Sequence, residues 1–312
     1  MEQAPHIPVL KDEVLAALSP QDNELYIDGT LGAGGYTRAI LDAAKCSVIG
    51  IDQDPQAHQM AAKWMSNYPN RLHLAVGNFS DMVELVKDHA TKVHGVVLDI
   101  GVSSMQFDNA ERGFSFSKDA PLDMRMSQQG MSAADFLNEA DEADIADVLY
   151  LYGEERASRK IAKAIIAARP VTRTVELASI IHGAIGNKGK TDSATKSFQA
   201  LRIHVNGELD ALKKGLLAAE QLLAPKGRLI VVSFHSLEDR MVKQFIHKRT
   251  SQPTGYRHLP EALNNNLKLS FKFGAPKKLK ASDEEIARNP RARSAVMRVA
   301  IRTEHPPLEV AA

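Results

Sequence analysis

The chain has 312 residues, of which 44% are hydrophobic, enough to bury the core of one large or two ordinary domains, and we expect two. Its single cysteine, Cys46, excludes an internal disulfide, and no apolar run approaches the ~20 residues of a membrane-spanning helix. The formal charge is only +1, but residues 240–302 hold 15 Lys and Arg against 4 Asp and Glu. We expect a soluble, cytoplasmic protein whose C-terminal part either faces a polyphosphate or is simply a solvated basic surface.

Short apolar segments rich in β-branched residues alternate with helix-like stretches in the first third of the chain. The apolar segments are ELYID from Glu24, SVIGID from Ser47, LHLAV from Leu72 and HGVVLDI from His94. Between them, apolar residues recur at helical spacing. This alternation predicts an α/β, Rossmann-like fold with a doubly wound, mostly parallel sheet.

The next strand pattern, RLIVVSF, begins only at Arg228, which is too far away for a single crossover connection. The intervening sequence shows amphipathic helical repeats and few strand signals. We therefore predict that a helical subdomain for substrate recognition, residues 108–207, interrupts a sheet domain formed by residues 1–107 and 208–312. A helix over 209–223 should end at APKG, residues 250–285 should form a mobile loop, and residues 295–302 should form the last strand.

A glycine-rich turn, DGTLGAGG, runs from Asp28 to Gly35 between the first strand and the first helix after it. Such a turn brings unencumbered backbone beside a helix N-terminus, where small cofactors bind. A nicotinamide dinucleotide turn needs a third glycine where this chain has Thr37, and a phosphate loop needs Gly-Lys-Ser/Thr, which is absent. The spacing of Asp28, Gly32 and Gly34 favours S-adenosylmethionine instead.

Acidic residues at two strand ends complete this cofactor pattern. Asp52 ends the second strand ~20 residues further on, where a carboxylate accepts hydrogen bonds from both ribose hydroxyls. We expect Asp28 to accept from the ammonium group of the cofactor, and Phe79 to stack on its adenine. For each residue there is a structural alternative, since Asp often caps the next helix and glycine often only makes a tight turn.

Longer strings carry a more specific resemblance, which runs nearly end to end. They are HIPVLKDEV, YIDGTLGAGGYTRAIL, GIDQDPQA, LDIGVSSMQFDNAERGFSFSKDAPLDMRM, YGEERASRKIAKAI, SFQALRIHVNGEL, SFHSLEDRMVK and NPRARSAVMR. The chain resembles the bacterial RsmH (MraW) family, which methylates N4 of a cytidine in the decoding region of 16S rRNA, at position 1402 in the conventional numbering of that RNA.

The resemblance implies S-adenosyl-L-methionine as cofactor and a helical domain inserted after the fourth strand. Two positions depart from the family pattern, with Tyr36 in place of His and Met105 in place of Pro. A backbone contact at position 36 would tolerate Tyr, whereas an imidazole contact would not. The implied cofactor contacts are Gly34, Gly35, Tyr36, Asp52, Phe79, Asp99 and Gln106.

Methylation of an exocyclic amine needs a group that takes up a proton. The Asp-Pro-Pro-Tyr type of turn common in amino-methyltransferases is replaced here by Asp99-Ile-Gly-Val-Ser-Ser. In order of preference, the acceptor is the Asp99 carboxylate, a backbone carbonyl beside it, or a Ser hydroxyl. His235, after the fifth strand, is either a base, a group that contacts RNA, or a histidine that ties a loop to the backbone.

Several arginines lie beside aromatic residues or near the last strand, a combination that suits an unstacked base and its phosphate. We predict RNA contacts by Arg112, Arg125, Arg291 and Arg293, with ion pairs to acidic helices as the alternative. The target cytidine must be single-stranded or flipped out, and we expect 16S rRNA in the assembled small ribosomal subunit to be the partner. No Cys/His cluster suggests a metal, and the sequence leaves open whether the protein is a homodimer.

Two other functions share parts of this pattern. A dehydrogenase-like enzyme would have the same fold but needs the glycine that Thr37 replaces. A non-catalytic ribosome-assembly factor would keep the fold and the basic C-terminal part, but has no use for acidic cofactor residues.

Overall fold

A computed structural model describes residues 8–187, 189, 191–251 and 268–308. The chain divides into two compact units. We call Met1–Gly101 with Asp210–Ala312 the sheet unit, and Val102–Leu209 the helical unit. The sequence places the limits of the insertion at 108 and 207.

The sheet unit contains one mixed sheet whose strands β1 to β5 are parallel. The strand order is β3-β2-β1-β4-β5-β8-β6, with β7 also paired to β8, and β8 runs antiparallel to β5, β6 and β7. This arrangement confirms the predicted fold class. The strands are β1 Leu25–Asp28, β2 Ser47–Asp52, β3 Leu72–Val76, β4 Val93–Asp99, β5 Leu223–Ser233, β6 Phe271–Phe273, β7 Leu279–Lys280 and β8 Val296–Arg302.

Helices cover both faces of this sheet and build the helical unit. Among the described residues they are α1 Lys11–Leu18, α2 Gly35–Ala43, α3 Pro55–Ala62, α4 Met82–Val86, α5 Ser104–Asp108, α6 Ala133–Glu139, α7 Glu142–Gly153, α8 Ser158–Ala168, α9 Thr174–Ile185, α10 Thr195–Asn206, α11 Glu208–Leu222, α12 Ser236–Thr250 and α13 Asp283–Arg288. In the described part of the chain, no helix is both long and apolar enough to cross a bilayer.

The central strands are nearly continuous apolar runs because the sheet is covered on both faces. One core lies under α4, α11 and α12, and includes Leu216 and Phe245. The other lies under α1 and α2, and includes Leu18 and Ile40. Two buried faces hold the carboxyl ends of the parallel strands rigidly at one edge of the sheet.

The helical unit has a separate core. α7 packs against both α8 and α10, and α8 also packs against α9. Apolar residues at helical spacing, among them Ile145, Leu149, Ile161 and Leu201, are fully buried between these helices. The unit therefore has a hydrophobic core of its own, as an independent domain requires.

The structure corrects the sequence prediction at two places in the sheet unit. β5 begins at Leu223 rather than Arg228, so that APKG lies within the strand, with Lys226 at φ 70°. Part of the predicted loop over 250–285 forms β6, β7 and α13, while residues 252–267 of it lie outside the described residues. The short strands were missed because they exist through pairing with β8, which no local pattern reveals.

Candidate active site

Four carboxylates lie at or just after the carboxyl ends of the parallel strands. Asp28, Asp52 and Asp99 end β1, β2 and β4, and Glu238 lies in the first turn of α12, which follows β5. The backbone N–H of Asp99 donates to Thr30 Oγ1 at 2.7 Å, which joins the end of β4 to the glycine turn. In open α/β sheets, this edge is where ligands bind.

Asp28 is fully buried, and both of its oxygens are bonded within the glycine turn. Thr37 Oγ1 donates to Oδ2 at 2.6 Å, and the backbone N–H of Thr30 donates to Oδ1 at 3.2 Å. Burial, and secondarily the nearby charge of Asp52, raises the pKa of Asp28 to about 6. Asp28 therefore fixes the turn to α2 from a fully buried position, and its bond to a ligand ammonium group stays a prediction.

Asp52 joins the glycine turn to the end of β2. Its Oδ2 accepts from the backbone N–H of Gly32 at 2.8 Å, and its Oδ1 accepts from that of Asp54 at 2.8 Å. Burial raises the pKa of this carboxyl, and the charge of Asp54 adds to the effect. Each carboxylate oxygen accepts more than one hydrogen bond, so this geometry leaves capacity for ribose hydroxyls.

The two adjacent glycines at the start of α2 are required by packing within the chain itself. Gly34 has φ 78°, and a Cβ there would lie 2.1 Å from the Trp64 ring. A Cβ on Gly35 would lie 2.2 Å from Pro8 Cγ. The turn thus packs between the side chains of Trp64 and Pro8. The sequence pattern explains the same two glycines by close approach of a ligand. Whether both glycines also contact the cofactor stays a prediction.

Tyr36 directs its side chain into the core under α1 and α2. The ring is buried and its hydroxyl donates to the backbone carbonyl of Val9. Burial raises the pKa of Tyr36 well above its usual range, and the charges of Asp99 and Asp28 add to this. Of the two alternatives for position 36, this geometry favours a backbone contact, which Tyr tolerates.

Asp99 is the carboxylate with unused hydrogen-bonding capacity. Among the described residues, its Oδ1 is the one buried carboxylate oxygen without a hydrogen-bond partner. Burial raises the pKa of Asp99 well above its usual range, and the charges of Asp28 and Glu238 raise it further. An orphaned buried acceptor at the end of a central strand indicates a position where a ligand donates a hydrogen bond.

His235 caps α12. Its Nδ1 accepts from the backbone N–H of Glu238 at 3.5 Å, and its Nε2 lies 2.9 Å from Glu238 Oε1 without the orientation of a hydrogen bond. Glu238 Oε2 in turn accepts from the backbone N–H groups of Phe234 and His235. The side chain of His235 is only 8% exposed. This arrangement matches the loop-tying alternative, while the buried Nε2 has no hydrogen-bond partner and a catalytic or RNA-contacting role stays a prediction.

Phe79 packs against the sheet unit's own helix α11. It begins a 3₁₀ helix, Phe79–Asp81, and a Cβ on Gly215 of α11 would lie 2.4 Å from the Phe79 ring. The half-buried ring therefore packs at the edge of the core, and its stacking on adenine stays a prediction. Gln106, in the helical unit, is buried and forms a capping box with Ser103 at the start of α5.

Two of the four predicted RNA-contacting arginines stabilise a loop of the helical unit. Arg112 is buried, and its Nη2 donates to the carbonyls of Arg125 and Met126 at 2.9 Å each. Arg125 forms an ion pair with Asp123 at 2.6 Å and donates to the carbonyl of Gly130. These bonds hold both guanidinium groups within the loop, and contacts of Arg112 and Arg125 with RNA stay predictions. Arg291 and Arg293 are exposed on the 3₁₀ helix Pro290–Ser294 and stay predictions.

Sequence reasoning missed three residues of this site. Thr30 and Thr37 donate to or accept from the strand-end groups, and Glu238 organises the loop after β5. The sequence does show that Thr37 stands where a dinucleotide-binding turn has a glycine. It does not show that the Thr37 hydroxyl bonds to Asp28, because spacing rules do not describe a side-chain contact between residues nine apart.

The electrostatics of this edge suit a cationic ligand. Burial raises the pKa values of Asp28, Asp52 and Asp99, and repulsion adds to this, from Asp52 on Asp28 and from Asp28 on Asp99. S-adenosylmethionine carries a sulfonium and an ammonium group, and either cation would relieve this repulsion. A dinucleotide pyrophosphate would increase it. The residues present therefore fit the predicted cofactor.

Comparison with known proteins agrees with this assignment. Residues 3–303 match the model of the MraW methylase family. "Ribosomal RNA small subunit methyltransferase H" of Rhizorhabdus wittichii is 54% identical over 308 residues, which cover 97% of this chain and 95% of that protein. The protein of the same name from Novosphingobium aromaticivorans is 54% identical over 317 residues, with the same coverage. A crystal structure of a rRNA-methylase from Clostridium thermocellum aligns over 94% of both chains with a TM-score of 0.43 and 12% identity.

The family match spans nearly the whole chain and includes the glycine turn and the three strand-end carboxylates, Asp28, Asp52 and Asp99. The resemblance inferred from the sequence is thus confirmed, and the chain belongs to the MraW methylase family.

Proposed function

We propose that this protein transfers a methyl group to N4 of a cytidine in the decoding region of 16S rRNA, within the small ribosomal subunit in the cytoplasm. The relatives are named as methyltransferases of small-subunit ribosomal RNA. The observation that carries the assignment to an amine is Asp99, whose buried Oδ1 has no hydrogen-bond partner in the described part of the chain. The exocyclic amine of cytosine offers the hydrogen that this oxygen lacks.

S-adenosyl-L-methionine is the cofactor, and it supplies a methyl group on a positively charged sulfur. Asp52 is the residue best suited to the ribose, because its oxygens already lie at the edge of the glycine turn. The negative charge of the strand-end carboxylates would stabilise the bound cation.

Asp99 would orient the amine and then accept its proton. The lone pair of the amine is delocalised into the pyrimidine ring, so the amine is a poor nucleophile and must be positioned. Orientation of reacting groups is worth up to about 7–11 kcal/mol in favourable cases. As the bond from N4 to the methyl carbon forms and the carbon–sulfur bond breaks, N4 loses one proton. The raised pKa of Asp99 makes its carboxylate a stronger base for that proton.

The experiment compares wild-type protein with Asp99→Asn on small ribosomal subunits that lack the modification. Asn keeps the shape of Asp but does not take up a proton. We expect kcat to fall at least about 100-fold while the Kd for the subunit stays within about twofold. In the wild type the rate should rise with pH as Asp99 ionises, and the residual rate of the variant should not show this rise. Retention of wild-type kcat by Asp99→Asn would rule out Asp99 as the proton acceptor.

The same assay tests the form of the substrate. We expect methylation of assembled subunits and little methylation of protein-stripped 16S rRNA, because the flipped cytidine requires the local fold of the decoding region. Efficient methylation of the bare RNA would contradict this part of the proposal.

A further inference from the structure

The helical unit has an unpaired basic surface where three helices meet. The last turn of α7 packs against the first turn of α10, since a Cβ on Gly153 would lie 2.7 Å from the carbonyl of Lys196. Lys196 Nζ also donates to the carbonyl of Glu154, just after α7. A short connection, residues 154–157, then leads into α8, which packs alongside α7. We call this surface the basic corner, and it comprises Tyr150, Leu151, Arg156, Arg159, Lys160, Lys163 and Lys196.

Most cations of the helical unit already have partners. Arg112 and Arg169 donate to backbone carbonyls, while Arg125, Arg173 and Arg202 each form an ion pair with a carboxylate. In the described part of this unit, the cations that have neither kind of partner are Lys118 and four residues within 156–163. All four of the latter are exposed: Arg156, Arg159, Lys160 and Lys163.

The amphipathic pattern of α8 fixes this charge on the outside. Ile161, Ala162 and Ile165 are buried against the core of the unit, so residues 159, 160 and 163 lie on the opposite face. Two acidic residues of α7, Glu142 and Asp144, lie in its first turn, about 9–12 Å from Tyr150 along the helix axis at 1.5 Å per residue. Screening in physiological salt weakens their effect at this distance. Asp147 and Glu154 are exposed and closer, so the five cations of the basic corner face two nearby exposed carboxylates and keep a local excess of positive charge.

Two exposed apolar side chains lie in the last turn of α7, which residues 154–157 connect to α8. Tyr150 is 59% exposed and Leu151 is 58% exposed, whereas Ile145, Val148 and Leu149 of the same helix are buried. Exposed aromatic rings beside unpaired Lys and Arg are the combination with which proteins bind unpaired RNA, through base stacking and phosphate contacts.

We propose that the basic corner is an RNA-docking surface, which contacts ribosomal RNA outside the methylated nucleotide. This inference rests on the proposed function, since it takes the substrate to be ribosomal RNA. The phosphates bind Arg156, Arg159, Lys160 and Lys163, and an unpaired base stacks on Tyr150. These contacts position the subunit and carry affinity rather than chemistry.

The test uses the full-length protein and small ribosomal subunits from cells that lack it. In one variant, Arg156, Arg159, Lys160 and Lys163 are all replaced by Gln, which favours helix and removes the charge. The matched control replaces four exposed lysines of the sheet unit, Lys45, Lys63, Lys87 and Lys92, by Gln. Circular dichroism and the Tm establish that both variants fold, and the Kd for S-adenosylhomocysteine establishes that the cofactor site is intact.

We expect the basic-corner variant to bind subunits about tenfold or more weakly than the wild type at 0.15 M salt. Its plot of log Kd against log salt should lose on the order of 3 in slope, since each phosphate contact contributes about 0.7–0.9. KM for the subunit should rise with little change in kcat. The control variant should stay within about twofold of wild type in all three quantities.

Tyr150 gives an independent readout. Tyr150→Ala should weaken binding by roughly tenfold and Tyr150→Phe should not, because stacking needs the ring and not the hydroxyl. Ultraviolet crosslinking from a photoreactive residue at position 151 should label RNA.

Unchanged binding by the basic-corner variant, with an active wild type, would overturn this inference and leave the proposed function intact. Crosslinking to a ribosomal protein instead of RNA would also overturn it. A wild-type protein that binds subunits but methylates none would overturn the proposed function itself.

Discussion

At the scale of single residues, the strand-end carboxyls that we predict to contact the cofactor also stabilise the glycine turn through hydrogen bonds. The sequence identifies Asp28, Asp52 and Asp99 by their position after strands, and the structure brings all three to one edge of the sheet. The structure also shows that the three carboxyls differ in their hydrogen bonds. Both oxygens of Asp28 accept hydrogen bonds, from Thr30 and Thr37, whereas Asp99 Oδ1 is buried without a hydrogen-bond partner. Spacing alone does not distinguish these cases.

The raised pKa of Asp28, about 6, makes the stability of the sheet unit depend on pH. A carboxyl whose pKa is higher in the folded than in the unfolded protein stabilises the fold when protonated, and this contribution is lost as pH rises through the folded value. For Asp28 the loss between pH 5 and 7.5 is about 1 kcal/mol. We expect Asp28→Asn to reduce the difference in unfolding free energy between these pH values by that amount, as measured by urea denaturation. An identical pH dependence in wild type and variant would contradict the buried, protonatable state of Asp28.

Position 36 tests whether a family departure affects the cofactor. Tyr36→Phe removes the hydroxyl that donates to Val9, so we expect the free energy of unfolding to fall by about 1 kcal/mol. The Kd for S-adenosylhomocysteine, measured by calorimetry, should stay within about twofold. Tyr36→His restores the family residue and serves as the comparison. A large change in cofactor Kd with unchanged stability would show that the Tyr36 hydroxyl contacts the ligand.

A substitution at Asp52 distinguishes a methyltransferase from a non-catalytic ribosome-assembly factor. Asp52→Ala removes the acceptor for two backbone N–H groups and, by our assignment, for the ribose hydroxyls. We expect the cofactor Kd to rise about 100-fold or more, with methyl transfer lost and the Kd for small subunits nearly unchanged. Activity that survives this substitution would remove Asp52 from the cofactor site.

At the scale of elements, a buried ion pair ties the helices after the insertion to the last strand. Glu220 of α11 accepts from Arg249 of α12 at 2.6 Å, and the two side chains are 1% and 5% exposed. Glu220 also accepts from Ser270 Oγ, and its backbone carbonyl accepts from Arg302 of β8. Because these charged groups are buried away from water, the hydrogen bonds take the place of their lost hydration.

Glu220→Ala should therefore destabilise the protein by about 3–5 kcal/mol, because it leaves the Arg249 guanidinium buried and unpaired. Urea denaturation measures this loss. The matched control is Glu84→Ala, which breaks the exposed pair with Lys87 and should cost less than about 1 kcal/mol. Equal effects of the two substitutions would contradict a structural role for the buried pair.

The helices and parallel strands were predictable because their signals are local. Apolar periodicity located β1 to β4 and the helical unit, and the long gap before Arg228 indicated an insertion. The start of β5 and the strands β6 and β7 were missed, because they form by pairing with distant segments. The packing of Phe79 on α11 was not predictable, and the loop-tying role of His235 was only one of three alternatives, since each depends on a partner in another helix or turn.

At the scale of the whole molecule, the uneven charge has a different origin from the one that the sequence suggests. Of the basic residues in 240–302, Arg249, Arg298 and Arg302 bond within the sheet unit, to Glu220, Asp239 and backbone carbonyls. Part of the C-terminal charge thus stabilises the fold and is not presented to RNA. Among the described cations of the helical unit without a partner, Arg159, Lys160 and Lys163 lie together on one face of α8, and Arg156 lies just before it.

The central claim is that this chain methylates N4 of one cytidine in 16S rRNA. Mass spectrometry of nuclease-digested 16S rRNA, from cells with and without the protein, tests it most directly. Deletion should remove a single N4-methylcytidine from the decoding region, wild-type protein should restore it, and Asp52→Ala should not. An unchanged content of N4-methylcytidine after deletion, or loss of a methyl group from another base, would contradict the assignment.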